Sequence, residues 1–196
     1  MQVSVLLPQF HPLAGRSARL YCRDMNGWGE YVLAWACFLG AHVIPAVPGP
    51  RGRLIAWLGR RGYLAAFSLL SVALLIWLVR AAAAPPFVPL WDSGAAGRWL
   101  VNLAMPVAVL LGACAAGLSG LIAAFAIWAA AHLIANGDLA HVILFGGMLG
   151  FALTGLVRSG LPRRFRASLP RLLLAAAIWG ALILLHPVIV GLPPWP

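Results

Sequence analysis

Uncharged, mostly apolar runs of about 19 residues or more recur along this chain, separated only by short polar stretches. A helix rises ~1.5 Å per residue and needs about 20 residues to cross ~30 Å of hydrocarbon, so each run has the length of a bilayer span. Composition excludes the soluble alternative. With 63% hydrophobic and 9% charged residues among 196, and a mean hydropathy of +0.94, the chain has too little polar surface to cover a water-soluble globule. The fold expected is all-α: a polytopic membrane helical bundle of about six transmembrane helices.

The spans are expected at roughly 27–48, 63–83, 99–117, 118–136, 139–157 and 172–191. Every basic side chain besides histidine is an arginine, and two loops collect most of them. One holds Arg51, Arg53, Arg60 and Arg61; the other holds Arg158, Arg163, Arg164, Arg166 and Arg171. Clustering of this kind orients a membrane protein and places both loops in the cytoplasm, with both termini outside. It does not point to nucleic acid, and none is expected as a partner. Arg16, Arg19 and Arg23 stand on the wrong side for this topology, and residues 1–24 lack the basic and apolar regions of a signal peptide. Residues 1–24 are therefore expected to be an extension that is not translated, with Met25 as the start and 25–196 as a single transmembrane domain. Cys22, Cys37 and Cys114 are odd in number and far apart, so they form neither a disulfide framework nor a CxxC motif.

Trp28, Tyr31, Trp57, Tyr63, Trp91, Trp99 and Trp195 fall near expected span ends, where an amphipathic ring anchors in the headgroups. RLIAWLGRR at 53–61 reads as part of a positive-inside loop, with a short interfacial helix as the alternative.

Ionisable groups at membrane depth are costly and usually face the bundle interior. Here they are chiefly His42, His132, His141 and His186. Neutral imidazole is the commonest metal ligand, and haem iron is commonly held by histidines; a histidine near a span end can equally be a hydrogen bonder between helices. Both readings stand for His42, His132 and His186, and the second is preferred for His141. In the segment AHLIANGDLAHVILFGG, Asn136 and Gly137 are expected to end the fourth span in a left-handed cap, and Asp138 to cap the fifth. His132 and Asn136 share a helical face and could share a ligand. Gly146 and Gly150 form a GxxxG expected to admit a neighbouring helix, and Asp92 is expected to pair with Arg80 or Arg98.

Taken in order, FLGAHVIPAVPGPRGRLIAWLG, RGYLAAFSLLSVALLIWLVR, PLWDSGAAGRWLVNLAMP, IWAAAHLIANGDLAHVILFGG and ALILLHPVIVG resemble the NnrU family of bacterial membrane proteins, from about residue 28 to residue 192. AHLIANGD with LFGG is the most specific segment. The family is named for an association with nitrite and nitric oxide reduction in denitrifying bacteria. Its relative, plant 15-cis-zeta-carotene isomerase, is a membrane enzyme that uses haem b. The resemblance implies haem b held by the histidines of GAHVIP and AAAHLIANGD, that is, His42 and His132 as axial ligands of the iron. The Arg-His-Pro usual before the fourth span in such proteins is replaced here by LLGACAAGLSGLIAAF. Depth along the bilayer favours a different partner for His132, because His186 shares its outer half whereas His42 would lie ~15 Å away along the normal.

Three functions follow. One is an inner-membrane protein binding haem b in nitrite and nitric oxide respiration. The second is a haem-dependent isomerase of an apolar polyene, with that apolar small molecule as its partner besides the lipid bilayer. The third is a cofactor-free assembly or structural partner. No nucleophile-base-acid arrangement, phosphate loop or carboxylate pair is present to support hydrolysis or nucleotide-driven transport.

Overall fold

A computed structural model describes residues 14–43 and 47–195, with side chains from Gly27 onward. Six helices follow one another: α1 (Ala14–Val43), α2 (Pro48–Ala81), α3 (Gly94–Cys114), α4 (Leu118–Ala135), α5 (Leu139–Ser159) and α6 (Leu169–Val190). Among the described residues there is no strand beyond two isolated antiparallel bridges, Pro89 with Asp138 and Ala115 with Phe165. The extension expected over 1–24 lies outside the described residues as far as residue 13, and α1 begins at Ala14.

Helices α2 to α6 are each long and apolar enough to cross a membrane. Over its described residues α1 is less apolar, yet it lies along the others. Tyr31 donates its hydroxyl to the carbonyl of Ala140 at the start of α5 (2.8 Å), and further along Phe38 meets Phe151 edge-on, ring centres 6.0 Å apart. Thus α1 runs parallel to α5 and antiparallel to α2. The core joins α1, α2, α4 and α5 through Tyr31, Phe38, Leu78, Ala129, Leu144, Phe145 and Met148. Helix α3 packs on α4, and α6 on α3 and α2. Large apolar side chains such as Leu69, Leu103, Leu173 and Leu184 face outward, as they must where the solvent is hydrocarbon.

Several local expectations are corrected. Helix α2 begins well before residue 63 because Gly59, at φ 69° and ψ 161°, separates a short leading helix from the membrane helix. That leading piece is helical, with Arg51 and Arg53 exposed and Trp57 81% exposed, so the arginine loop expected from the sequence carries a short helix. Tyr31 is no headgroup anchor: it is 1% exposed, its hydroxyl satisfied by Ala140. Tyr63 is likewise buried, stacked on Phe67.

The GxxxG expectation also fails. A Cβ on Gly146 or Gly150 would meet nothing within 4 Å, whereas one on Gly147 would come within 2.6 Å of the Trp35 ring, so Gly147 is where α1 comes close. Asp92 accepts from the amide of Gly94 at 2.8 Å at the start of α3, and among the described residues the only ion pair is His141 with Asp138. Local capping of free N–H groups replaces the expected arginine pair.

Candidate functional site

The membrane histidines share one arrangement. His42 Nδ1 lies 2.7 Å from the carbonyl of Phe38, and His132 Nδ1 lies 2.9 Å from that of Trp128; each ring thus reaches back one helical turn. His186 Nδ1 lies 2.7 Å from the carbonyl of Leu192, just past the end of α6. A carbonyl can only accept, so Nδ1 carries the proton in all three. In the neutral ring the lone pair is then on Nε2, the form of imidazole that ligates a metal. On donor chemistry all three residues therefore fit haem iron.

Aromatic rings enclose these imidazoles. The His42 ring stands 4.3 Å from that of Phe38, 5.4 Å from Phe67 of α2 and 5.4 Å from Phe151 of α5, measured between centres. The His132 ring stands 5.3 Å from that of Trp128 and 5.1 Å from Phe145 of α5. His42 and His132 therefore touch α5 six residues apart, about 9 Å along its axis and about a third of a turn around it. The structure does not gather them into one cluster. Among the described residues no three of histidine, cysteine, aspartate and glutamate come together as a metal-binding group.

His132 sits in the last turn of α4, where the final carbonyls have no partners within the helix. Asn136 answers for the carbonyl of His132 with both its backbone N–H (2.9 Å) and its side-chain amide (2.8 Å). The indole of Trp91 donates to Ile134 at 3.0 Å and the hydroxyl of Ser93 to Ala135 at 3.0 Å. The chain then leaves through Asn136 in an extended conformation, φ −115° and ψ 97°, instead of the left-handed cap expected. Glycine is needed at 137 for a different reason: a Cβ there would run into the carbonyl of Trp91. The same approach lets the amides of Leu90 and Trp91 both donate to Gly137, at 2.7 and 3.0 Å.

Asp138 caps α5 as expected, accepting from the amide of His141 at 3.3 Å, with its other oxygen 2.7 Å from His141 Nδ1. Of the AHLIANGD segment, then, Asn136, Gly137 and Asp138 build a helix turn clamped to residues 88–93. His132 alone projects into the aromatic interior. An open cleft of about 590 Å³ lies over this turn, with Trp91, Asp92, Asn136 and Asp138 on its walls.

Sequence reasoning missed the enclosing rings of Phe38, Phe67, Phe145 and Phe151. Phenylalanine in an apolar span carries no signal that separates a ring beside a histidine from one facing lipid. It also missed Trp91 and Ser93 as caps of a helix more than forty residues away, for which only the clustering of PLWDS with polar groups hinted.

One family model, described as NnrU protein, matches residues 30–194. No match was found among curated proteins or among solved structures.

Proposed function

The chain belongs to the NnrU family, and from that premise we propose that it is a multi-pass protein of the bacterial inner membrane that binds haem b in support of nitrite and nitric oxide respiration. The observation that carries this reading is the common state of His42, His132 and His186, each with Nδ1 committed to a carbonyl and Nε2 left as a lone pair. His132 is the residue that would hold the iron in either pairing. His42 is the partner that the family resemblance implies; His186, expected from the sequence in the same outer half of the bilayer as His132, is the alternative.

Bound haem supplies a one-electron couple inside the membrane. The chain's own residues do the rest. The carbonyls of Phe38 and Trp128 fix the orientation and tautomer of His42 and His132, and the rings of Phe67, Phe145 and Phe151 keep water from them. The arginine-bearing ends face the cytoplasm, following the positive-inside bias.

A second reading, isomerisation of an apolar polyene, is favoured by the three phenylalanine rings around His42, since an aromatic wall of this kind suits a conjugated hydrocarbon.

Absorption spectra of detergent-purified protein, grown with ample haem, test the proposal. A Soret band that is lost or displaced in His132→Ala, and in one of His42→Ala and His186→Ala, supports it and names the pair. A colourless wild type overturns it in favour of a cofactor-free structural role, and a Soret band indifferent to His132→Ala overturns the assignment of His132 as a ligand. Turnover of a cis-carotenoid by the haem-loaded protein in vesicles would select the isomerase.

A further inference from the structure

The arginine-bearing end of the bundle is tied together by backbone pairing. The amide of Ala116 donates to the carbonyl of Arg164 and that of Arg166 to the carbonyl of Cys114, both at 2.8 Å, while the Arg171 guanidinium reaches the same Cys114 carbonyl at 3.1 Å. These bonds hold the extended segment after α5 across the turn between α3 and α4. Between them they leave a cavity of about 390 Å³ whose polar walls are Ser119, Ser159, Arg163 and Arg164.

Neither arginine has a carboxylate. The ion pair of His141 with Asp138 is the only one among the described residues, and Glu30, Asp92 and Asp138 all stand at the other end of the bundle. Glu30 is fixed there by the indole of Trp77, which donates to it at 3.2 Å. Two guanidinium side chains and the Ser119 hydroxyl line it, and a guanidinium presents its N–H donors in the planar pattern that matches phosphate oxygens; the Ser159 hydroxyl is already given to the Gly155 carbonyl at 2.9 Å. Apolar surface adjoins it: Leu161, on its wall, is 70% exposed, and Val157, in the last turn of α5 that leads to it, is 86% exposed. A free anion has no use for that apolar surface, whereas acyl chains lying along it would keep it from water. Basic pockets between helix ends on the cytoplasmic side are where anionic headgroups bind.

We propose that this cavity binds the phosphate of an anionic phospholipid headgroup, with Arg163 and Arg164 as its cationic partners. The site is independent of the histidines and of any haem.

Native mass spectrometry of the detergent-solubilised full chain, mixed with phosphatidylglycerol, phosphatidylcholine or inorganic phosphate, tests it. Phosphatidylglycerol should be retained in preference to phosphatidylcholine. The double variant R163Q/R164Q should weaken that binding about tenfold or more, the loss expected for charge-assisted hydrogen bonds. R51Q/R53Q, which removes the same charge outside the cavity, should not. If R163Q/R164Q does not fold, S119E is the substitute: an acidic residue in the first turn of α4 suits the helix while repelling an anion from the cavity.

Inorganic phosphate that binds alone, and is lost in R163Q/R164Q, would uphold the site with free phosphate as its source. Equal loss in both arginine double variants, equal retention of both lipids, or undiminished binding in S119E would overturn the proposal.

Discussion

Asn136 folds its side-chain amide back onto the carbonyl of His132 at 2.8 Å, four residues behind it, so the residue that ends α4 also steadies the backbone of the histidine in the helix's last turn. Sequence proximity had suggested that the two shared a ligand. They share a hydrogen bond, and the His132 ring faces Trp128 and Phe145.

The tightness of this turn predicts a steep contrast between glycines. Gly137→Ala puts a Cβ against the Trp91 carbonyl, a backbone atom that cannot move without breaking the two bonds from Leu90 and Trp91, and should cost about 1–3 kcal/mol. Gly146→Ala, with open space around the added carbon, should be neutral or slightly stabilising. Thermal unfolding of the two variants in detergent compares them directly. Similar midpoints would show that the clamp does not exist.

Asp138 is predicted to act chiefly as a cap. Asp138→Ala should lower stability by about 1 kcal/mol, and Asp138→Asn should restore most of it, because an amide oxygen can accept from the His141 amide as a carboxylate does. The same unfolding assay reads both. If Asn is as damaging as Ala, the contact of the carboxylate with the His141 ring matters more than the cap.

What the sequence made legible follows from which physical signal was long enough to read. Six helices are evident because a span repeats one property over about 20 residues, and the turn at 136–138 is evident because Asn, Gly and Asp each have a strong backbone preference. Side-chain direction is another matter. In a span that is apolar all round, such as LSGLIAAFAIWAAAHLIA, no polar face says which side meets protein, so the partners of His132 could not be assigned. The same ambiguity made Gly146 and Gly150 look like the packing pair, when the structure uses Gly147 against Trp35. Tyr31 was misread because a tyrosine near a span end serves equally well as an anchor or as a buried donor, and only the position of Ala140 decides.

Orientation is predicted from the arginines alone. Fusions of a cytoplasmic reporter at Arg53 and at Arg164 should be active, and a periplasmic reporter fused after Trp195 should be active as well. Activity of the cytoplasmic reporter at Trp195 would mean that an even number of crossings separates that end from the arginine loop after α5, so that α6 does not cross.

The end of α4 offers a last test, because two side chains from outside the helix complete it. Ser93 donates to the Ala135 carbonyl and Trp91 to that of Ile134, each at 3.0 Å. Ser93 is half-buried, so Ser93→Ala leaves a carbonyl without ready access to water and should cost about 1–2 kcal/mol. Trp91→Phe removes a bond at a more exposed site, where water can replace the indole, and should cost less than about 1 kcal/mol through that bond. With both partners gone the last turn of α4 should fray. Hydrogen exchange should then accelerate at residues 134–139 in the double variant while the middle of α5, packed around Leu144 and Met148, stays protected. Unchanged exchange at those amides would show that Asn136 alone suffices to close the helix, and that the pairing with residues 88–93 is incidental to holding His132 in place.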